Sequence, residues 1–160
     1  MGINYFQRDL RDLSFVLFEY LGVEKLLNYD AYQDFSVDDF RMIMEEALKV
    51  ARSSLGPANQ DGDREGVTYD AGKVRVPESF HGCWKVLAEN GWISISSNPE
   101  RGGQGLPAVM GTAVNELFIG ANLAMMSYPG LTVGNGRLIE TFGTDDDRAL
   151  FVEKMYSGVW

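Results

Sequence analysis

Apolar residues recur along the first half of the chain at the three- and four-residue steps of a helix face, punctuated by glycine and proline. From Arg8 to Leu21, the side chains of Leu10, Leu13, Leu17 and Leu21 share one face. Phe15, Val16 and Phe18 make the other faces apolar too, so this helix is expected to have protein on two sides. Gly22 ends it, and 29–35 reads as a connection. Ser36, with Asp39 three residues on, is a weak capping box that opens a second helix, and Asp38 suits the same positive helix end. Its stripe is Phe40, Ile43, Ala47, Ala51 and Leu55. Gly56-Pro57 is expected to stop this helix, leaving 59–66 as a polar surface loop. Two short alternating runs on either side of Asp70-Ala71-Gly72 then predict a hairpin over 67–76. Pro77 opens another helix, with Phe80, Trp84, Leu87 and Gly91 on one face.

The pattern changes in the second half. Between Arg101 and Arg137 the only charged residue is Glu116. A helix starting at Pro107 would carry Val109, Val114, Leu117, Phe118, Leu123 and Met126 all round its cylinder. Such a helix is a membrane span or the central helix of a bundle. Glu116, Asn115, Asn122, Gly111 and Gly120 make a span costly, and the neighbouring helices are amphipathic, which favours the bundle. Tyr128-Pro129-Gly130 is expected to break this helix and begin another, with Leu131, Gly134, Leu138 and Phe142 along one face and Gly143 closing it. Thr144 with three aspartates starts a last helix. That helix should carry Leu150, Phe151 and Met155 inward and end at Ser157-Gly158. The prediction is an all-α antiparallel helical bundle with one short β-hairpin.

Composition narrows the functional classes. A chain of 160 residues, 45% hydrophobic and 23% charged, fits one ordinary folded domain. A net charge of −9 without any basic stripe excludes a nucleic-acid surface. Charges at Arg8, Asp9, Arg11 and Asp12 exclude a signal peptide, and Met1-Gly2 resembles a myristoylation start but Phe6 stands where Ser or Thr is needed. One cysteine and one histidine leave neither an internal disulfide nor a multi-histidine metal site, so a reducing, cytoplasmic setting is expected.

Candidate chemistry is sparse. Asp61, Asp63 and Glu65 alternate as in a calcium loop, but no bidentate Glu follows at the required offset. His81 and Cys83 have no acid or base near them in sequence to make a dyad, and both read as structural. The glycine-rich stretch 98–106 lacks the Lys-Ser/Thr of a phosphate loop and is expected to be a turn where backbone crosses close to a neighbour. Glu116 is the one candidate for a perturbed acid, and hydrogen bonding within the bundle is the simpler expectation. From the residues alone, this is a soluble helical domain with neither a catalytic nor a metal-binding set.

The order of motifs adds more. Gly91-Trp92, then Glu100-Arg101-Gly102-Gly103-Gln104-Gly105-Leu106-Pro107, then Asn115-Glu116-Leu117 in the apolar helix, resembles the acyl-CoA dehydrogenase family. The likeness continues through Tyr128-Pro129-Gly130-Leu131-Thr132, Phe142-Gly143-Thr144 and Lys154 to Trp160. The opening segment, from Tyr5 to Glu19, is similar to the N-terminal extension of the branch that includes 3-methylmercaptopropionyl-CoA dehydrogenase. Arg101 departs from the aromatic usual at its position.

The resemblance implies an extension over 1–35 packing on a helical N-terminal domain over 36–160. It implies that a β-domain and a C-terminal helical domain with the catalytic glutamate lie outside this chain. For the whole enzyme it implies FAD-dependent α,β-dehydrogenation of an acyl-CoA, as in fatty acid metabolism. Electron-transferring flavoprotein would be the acceptor, and a homo-oligomer the assembly. This chain would hold no catalytic or flavin-binding residue. Its share would be a wall of the acyl pocket: Met125, Met126, Tyr128, Pro129, Gly130 and Leu131. Methionines there would suit a flexible or sulfur-containing acyl chain. A stand-alone, non-catalytic helical interaction module is the alternative.

Overall fold

The structure, a computed structural model, describes residues 4–160, so Met1 and Gly2 lie outside the described residues. Helix α1 (Arg11–Ser14) runs on into a π-helical stretch, Phe15–Tyr20. Leu13 and Leu17 are buried, but Phe15, Val16 and Leu21 are exposed, so protein covers this helix on one side rather than two. Two short 3₁₀ turns, Val23–Asn28 and Asp30–Tyr32, make the connection that follows.

The capping box at the start of α2 (Val37–Val50) forms in both directions. The Ser36 hydroxyl accepts from the Asp39 amide at 3.1 Å, and the Asp39 carboxylate accepts from the Ser36 amide at 2.8 Å. At the other end, Gly56-Pro57 does not stop the helix as expected. A π-helical stretch, Ala51–Leu55, carries α2 into α3 (Gly56–Glu65), with the Gly56 amide donating to the Ala51 carbonyl five residues back. The wider π turn takes up the clash and the missing N–H that proline brings to a regular helix. Side chains from elsewhere donate to carbonyls of this irregular stretch: Asn4 to Arg52 at 2.7 Å, Cys83 to Ser54 at 3.5 Å, and Asn122 to Leu55 at 3.2 Å. Hence 59–65 is helical instead of a loop. No acidic or histidine cluster able to hold a metal forms there or elsewhere among the described residues.

The hairpin pairs β1 (Thr68–Asp70) with β2 (Lys73–Arg75) in antiparallel register, Tyr69 opposite Val74, and is exposed throughout. Helix α4 (Glu78–Glu89) follows Pro77 and buries Phe80, Cys83 and Leu87.

Helix α5 (Ala108–Ala121) lies against α2 and buries Met110, Val114, Leu117 and Phe118, with the Trp92 ring edge-on to Phe118 at 5.3 Å. It is not surrounded: Thr112, Asn115, Glu116 and Ile119 face outward. The helix ends at Asn122, not at Tyr128-Pro129-Gly130. Asn122 adopts φ −158°, ψ 89°, and its buried side chain caps the next helix by accepting from the Met125 amide at 2.9 Å. Helix α6 (Leu123–Phe142) then runs through Pro129-Gly130 without interruption.

Thr144 and Asp147 form the second capping box, at α7 (Asp145–Asp147), which leads through a π-helical stretch Arg148–Val152 into α8 (Glu153–Tyr156). The π stretch rotates the inward face. Val152 and Tyr156 point into the protein, while Leu150 is exposed and Phe151 and Met155 are half-buried, contrary to the expected set. The result is the expected helical bundle with one short hairpin. No helix among the described residues is long and apolar enough to cross a membrane.

Candidate functional site

The residues expected to form one wall lie on the first half of α6, and the continuity of that helix separates them. At about 100° per residue, Met125 and Tyr128 face one way while Met126, Pro129 and Gly130 face another. Met125, Tyr128 and Thr132 look onto an apolar groove of about 310 Å³, opposite Phe80, Trp84 and Trp160. Tyr128 meets the Phe80 ring edge-on at 6.4 Å. Met126, Pro129 and Gly130 line a second groove, of about 180 Å³, opposite Ile93 and Ile95 and extended along α6 by Val133 and Arg137. Leu131 lines neither groove and is 73% exposed.

The far walls of the second groove come from the stretch between α4 and α5. There the glycine-rich loop folds back on 94–98: the amides of Gly103, Gln104, Gly105 and Leu106 donate to carbonyls of Asn98, Ser94, Ser97 and Ile95 at 2.9 to 3.3 Å. A Cβ on Gly103 would sit 2.1 Å from the Ser97 carbonyl oxygen, so only glycine permits this crossing. The expected close-crossing turn is therefore present. Because these amides are already bonded to backbone, the loop does not fit the pyrophosphate of a flavin dinucleotide.

The remaining candidates have structural roles. Glu116 does not bond within the bundle; on the exposed face of α5 it pairs with Arg8 and ties the N-terminal segment to that helix. Cys83 is buried beside Ser54, and burial pushes its thiol up from the usual value, against the smaller opposing effect of the Ser54 hydrogen bond. His81 is exposed at the rim of the larger groove, and no hydrogen bond links it to Cys83.

Sequence reasoning missed Tyr156. Its hydroxyl donates to the Glu140 carboxylate at 2.7 Å, its carbonyl accepts from Ser94 Oγ at 2.9 Å, and its ring lies where a Cβ on Gly136 would be, 2.6 Å away. Burial first, then the bond to Glu140 and its charge, push the phenol up to about 12. The Trp84 indole donates to the Gly158 carbonyl at 3.0 Å, so α8 and the segment after it are fastened to α4 and α6 together. Gly136, the small residue beneath the ring, was the one available signal.

The family described as acyl-CoA dehydrogenase, N-terminal domain, matches residues 37–159. The chain belongs to that family. It is 28% identical over 155 residues to 3-methylmercaptopropionyl-CoA dehydrogenase of Ruegeria pomeroyi, a match covering 97% of this chain and 26% of that protein. It is 29% identical over 148 residues to the broad-specificity linear acyl-CoA dehydrogenase FadE5 of Mycobacterium tuberculosis, covering 91% of this chain and 24% of that one. It is 31% identical over 161 residues to a butyryl-CoA dehydrogenase of Syntrophomonas wolfei, covering 98% and 26%. This acyl-CoA dehydrogenase N-terminal domain thus spans about a quarter of the length of the curated relatives it matches.

Proposed function

We propose that this chain is the N-terminal part, extension 1–35 and helical domain 36–160, of an FAD-dependent enzyme that introduces an α,β double bond into an acyl-CoA thioester. The groove between α6 and Ile93–Ile95 is its contribution to the acyl pocket. The observation that carries this reading is that Met126, Pro129 and Gly130, three of the residues named for the pocket wall, converge on that one groove with apolar Ile93, Ile95 and Val133. Such a surface excludes water from an acyl chain and holds it in line, a positioning role. Met125 and Tyr128 belong instead to the groove under Trp160, and Leu131 to the outer face of α6.

Flavin, which supplies the redox chemistry when bound, is held by parts of the polypeptide other than the glycine-rich loop. A β-domain and a C-terminal helical domain carrying the catalytic glutamate, electron-transferring flavoprotein as acceptor, a homo-oligomeric state and a cytoplasmic location complete the proposal, on the strength of family membership. The exposed apolar residues Leu131, Leu138 and Phe142 on α6 support a domain that docks against further structure.

The test is spectroscopic. The complete polypeptide carrying this chain, purified, should be yellow, and its flavin absorbance should bleach on anaerobic addition of an acyl-CoA, while residues 1–160 alone bind no flavin. A colourless complete polypeptide, or one whose flavin ignores every acyl-CoA offered, would refute the proposal.

A further inference from the structure

The groove assigned to the acyl chain is not a hydrocarbon slot. Ile93, Ile95, Met126 and Val133 give it apolar walls, but Ser96, Asn115 and Arg137 also line it. The Ser96 hydroxyl is turned away from the groove and buried against Gly111, so the polar groups offered to a ligand are those of Asn115 and Arg137. The Asn115 amide makes no side-chain hydrogen bond among the described residues, and the Arg137 guanidinium makes no ion pair among them. The acid nearest along the helix is Glu140, one turn on. Its carboxylate takes the Tyr156 hydroxyl at 2.7 Å, and although the Arg137 charge acts on that phenol, no ion pair among the described residues joins Arg137 to Glu140. Gly130 and Gly134 keep the floor between the apolar and polar ends open: a Cβ at either would meet nothing within 4 Å.

A plain alkyl chain laid in this groove would cover the Asn115 and Arg137 side chains without replacing their water. An anion at the far end of the chain reverses that penalty. A carboxylate accepts two parallel N–H bonds from a guanidinium and has lone pairs left for an amide. Along α6, Arg137 lies roughly 10 Å from Gly130 and roughly 16 Å from Met126, from seven and eleven residues at about 1.5 Å rise each. We infer that the acyl group taken by this enzyme carries a carboxylate at its distal end, held by Arg137 with Asn115. This specificity rests on the acyl-pocket reading above, and it separates the chain from relatives named for butyryl or linear acyl substrates.

The test is binding, independent of turnover. Two unreactive CoA thioethers of equal length, hexyl-CoA and its ω-carboxylated counterpart, are titrated calorimetrically into the complete polypeptide. The carboxylated thioether should bind at least about tenfold tighter, as one charge-assisted bidentate contact implies. Arg137→Gln should bring the ratio of the two affinities near one, and Arg137→Lys should keep part of it. Arg137 is exposed, and circular dichroism of each variant establishes that it folds. Equal weakening of both thioethers by Arg137→Gln would place the arginine on the shared CoA portion and overturn the inference. So would tighter binding of the alkyl thioether by the unsubstituted protein, with the acyl-pocket reading left standing. Binding of neither thioether would overturn that reading and this inference together.

Discussion

Helices α2 and α6 both carry long apolar stripes, and only one of the two stripes is covered. On α2, Phe40 and Ala47 are 0% exposed and Met44 is 2% exposed, because α5 lies along them. On α6, Leu131, Leu138 and Phe142 are 73%, 57% and 79% exposed, because α5 and α8 meet the opposite side of that helix. Periodicity states which residues share a face. Whether the face is buried depends on what else is present to lie on it. The α2 stripe holds this domain together, while the α6 stripe is a surface seeking cover.

Substitutions on the two stripes should therefore differ in kind. The largest effect is expected at Phe40: truncation to Ala should cost about 3–5 kcal/mol, a large share of the stability of a domain this size, read as a shift in the urea midpoint. A loss under 1 kcal/mol would show that α5 does not close on α2.

Next comes the joint that sets how α6 leaves α5. Asn122→Ala removes the cap on the Met125 amide and the donor to the Leu55 carbonyl, both buried, and should cost roughly 1–3 kcal/mol by the same measurement. Asn122→Asp, which keeps the cap but sets a buried carboxylate against the Leu55 carbonyl, should cost at least as much.

A smaller effect lies where α8 clasps α6. The folded-state pKa of Tyr156 is raised to about 12 from 10.0, so its contribution is fully present below about pH 10 and is lost as pH rises toward 12. Phenolate absorbance should show one late-titrating tyrosine that Tyr156→Phe removes. A titration in which that variant loses a tyrosine ionising near 10 would contradict the buried bond to Glu140.

Smallest in stability are changes on the uncovered stripe: Leu138→Asn with Phe142→Ser should stay within about 0.5 kcal/mol of the parent. Association is the property they should change. Residues 1–160 are expected to self-associate in sedimentation velocity, and this pair should shift them toward monomer. A parent that sediments as a monomer at every concentration would show that the stripe needs no cover.

The same contrast explains what could be read from the sequence. The α2 cap, its stripe, the hairpin and the glycine crossing at Gly103 are set by residues close in sequence or by steric need at one position, and they were legible. The helix breaks were not. Gly56-Pro57 and Pro129-Gly130 are strong local breakers, yet a π stretch absorbs the first and α6 runs through the second. The actual break, at Asn122, depends on a carbonyl 67 residues earlier that its side chain reaches only in the folded protein. The same continuity of α6 distributes the residues expected to form one wall between two grooves. The π stretch Arg148–Val152 likewise turned Val152 and Tyr156 inward in place of Leu150, which no periodic pattern could foresee.

The central claim is that an acyl chain lies against the Met126–Gly130–Val133 side of α6. A CoA thioether bearing a photoreactive diazirine along its chain, irradiated on the complete polypeptide and mapped by peptide mass spectrometry, tests it directly. Labels should fall on Met126, Val133 or Ile95 and disappear when unmodified acyl-CoA is present in excess. Competable labels confined to the Phe80–Trp84 groove, or absent from this chain altogether, would contradict the account.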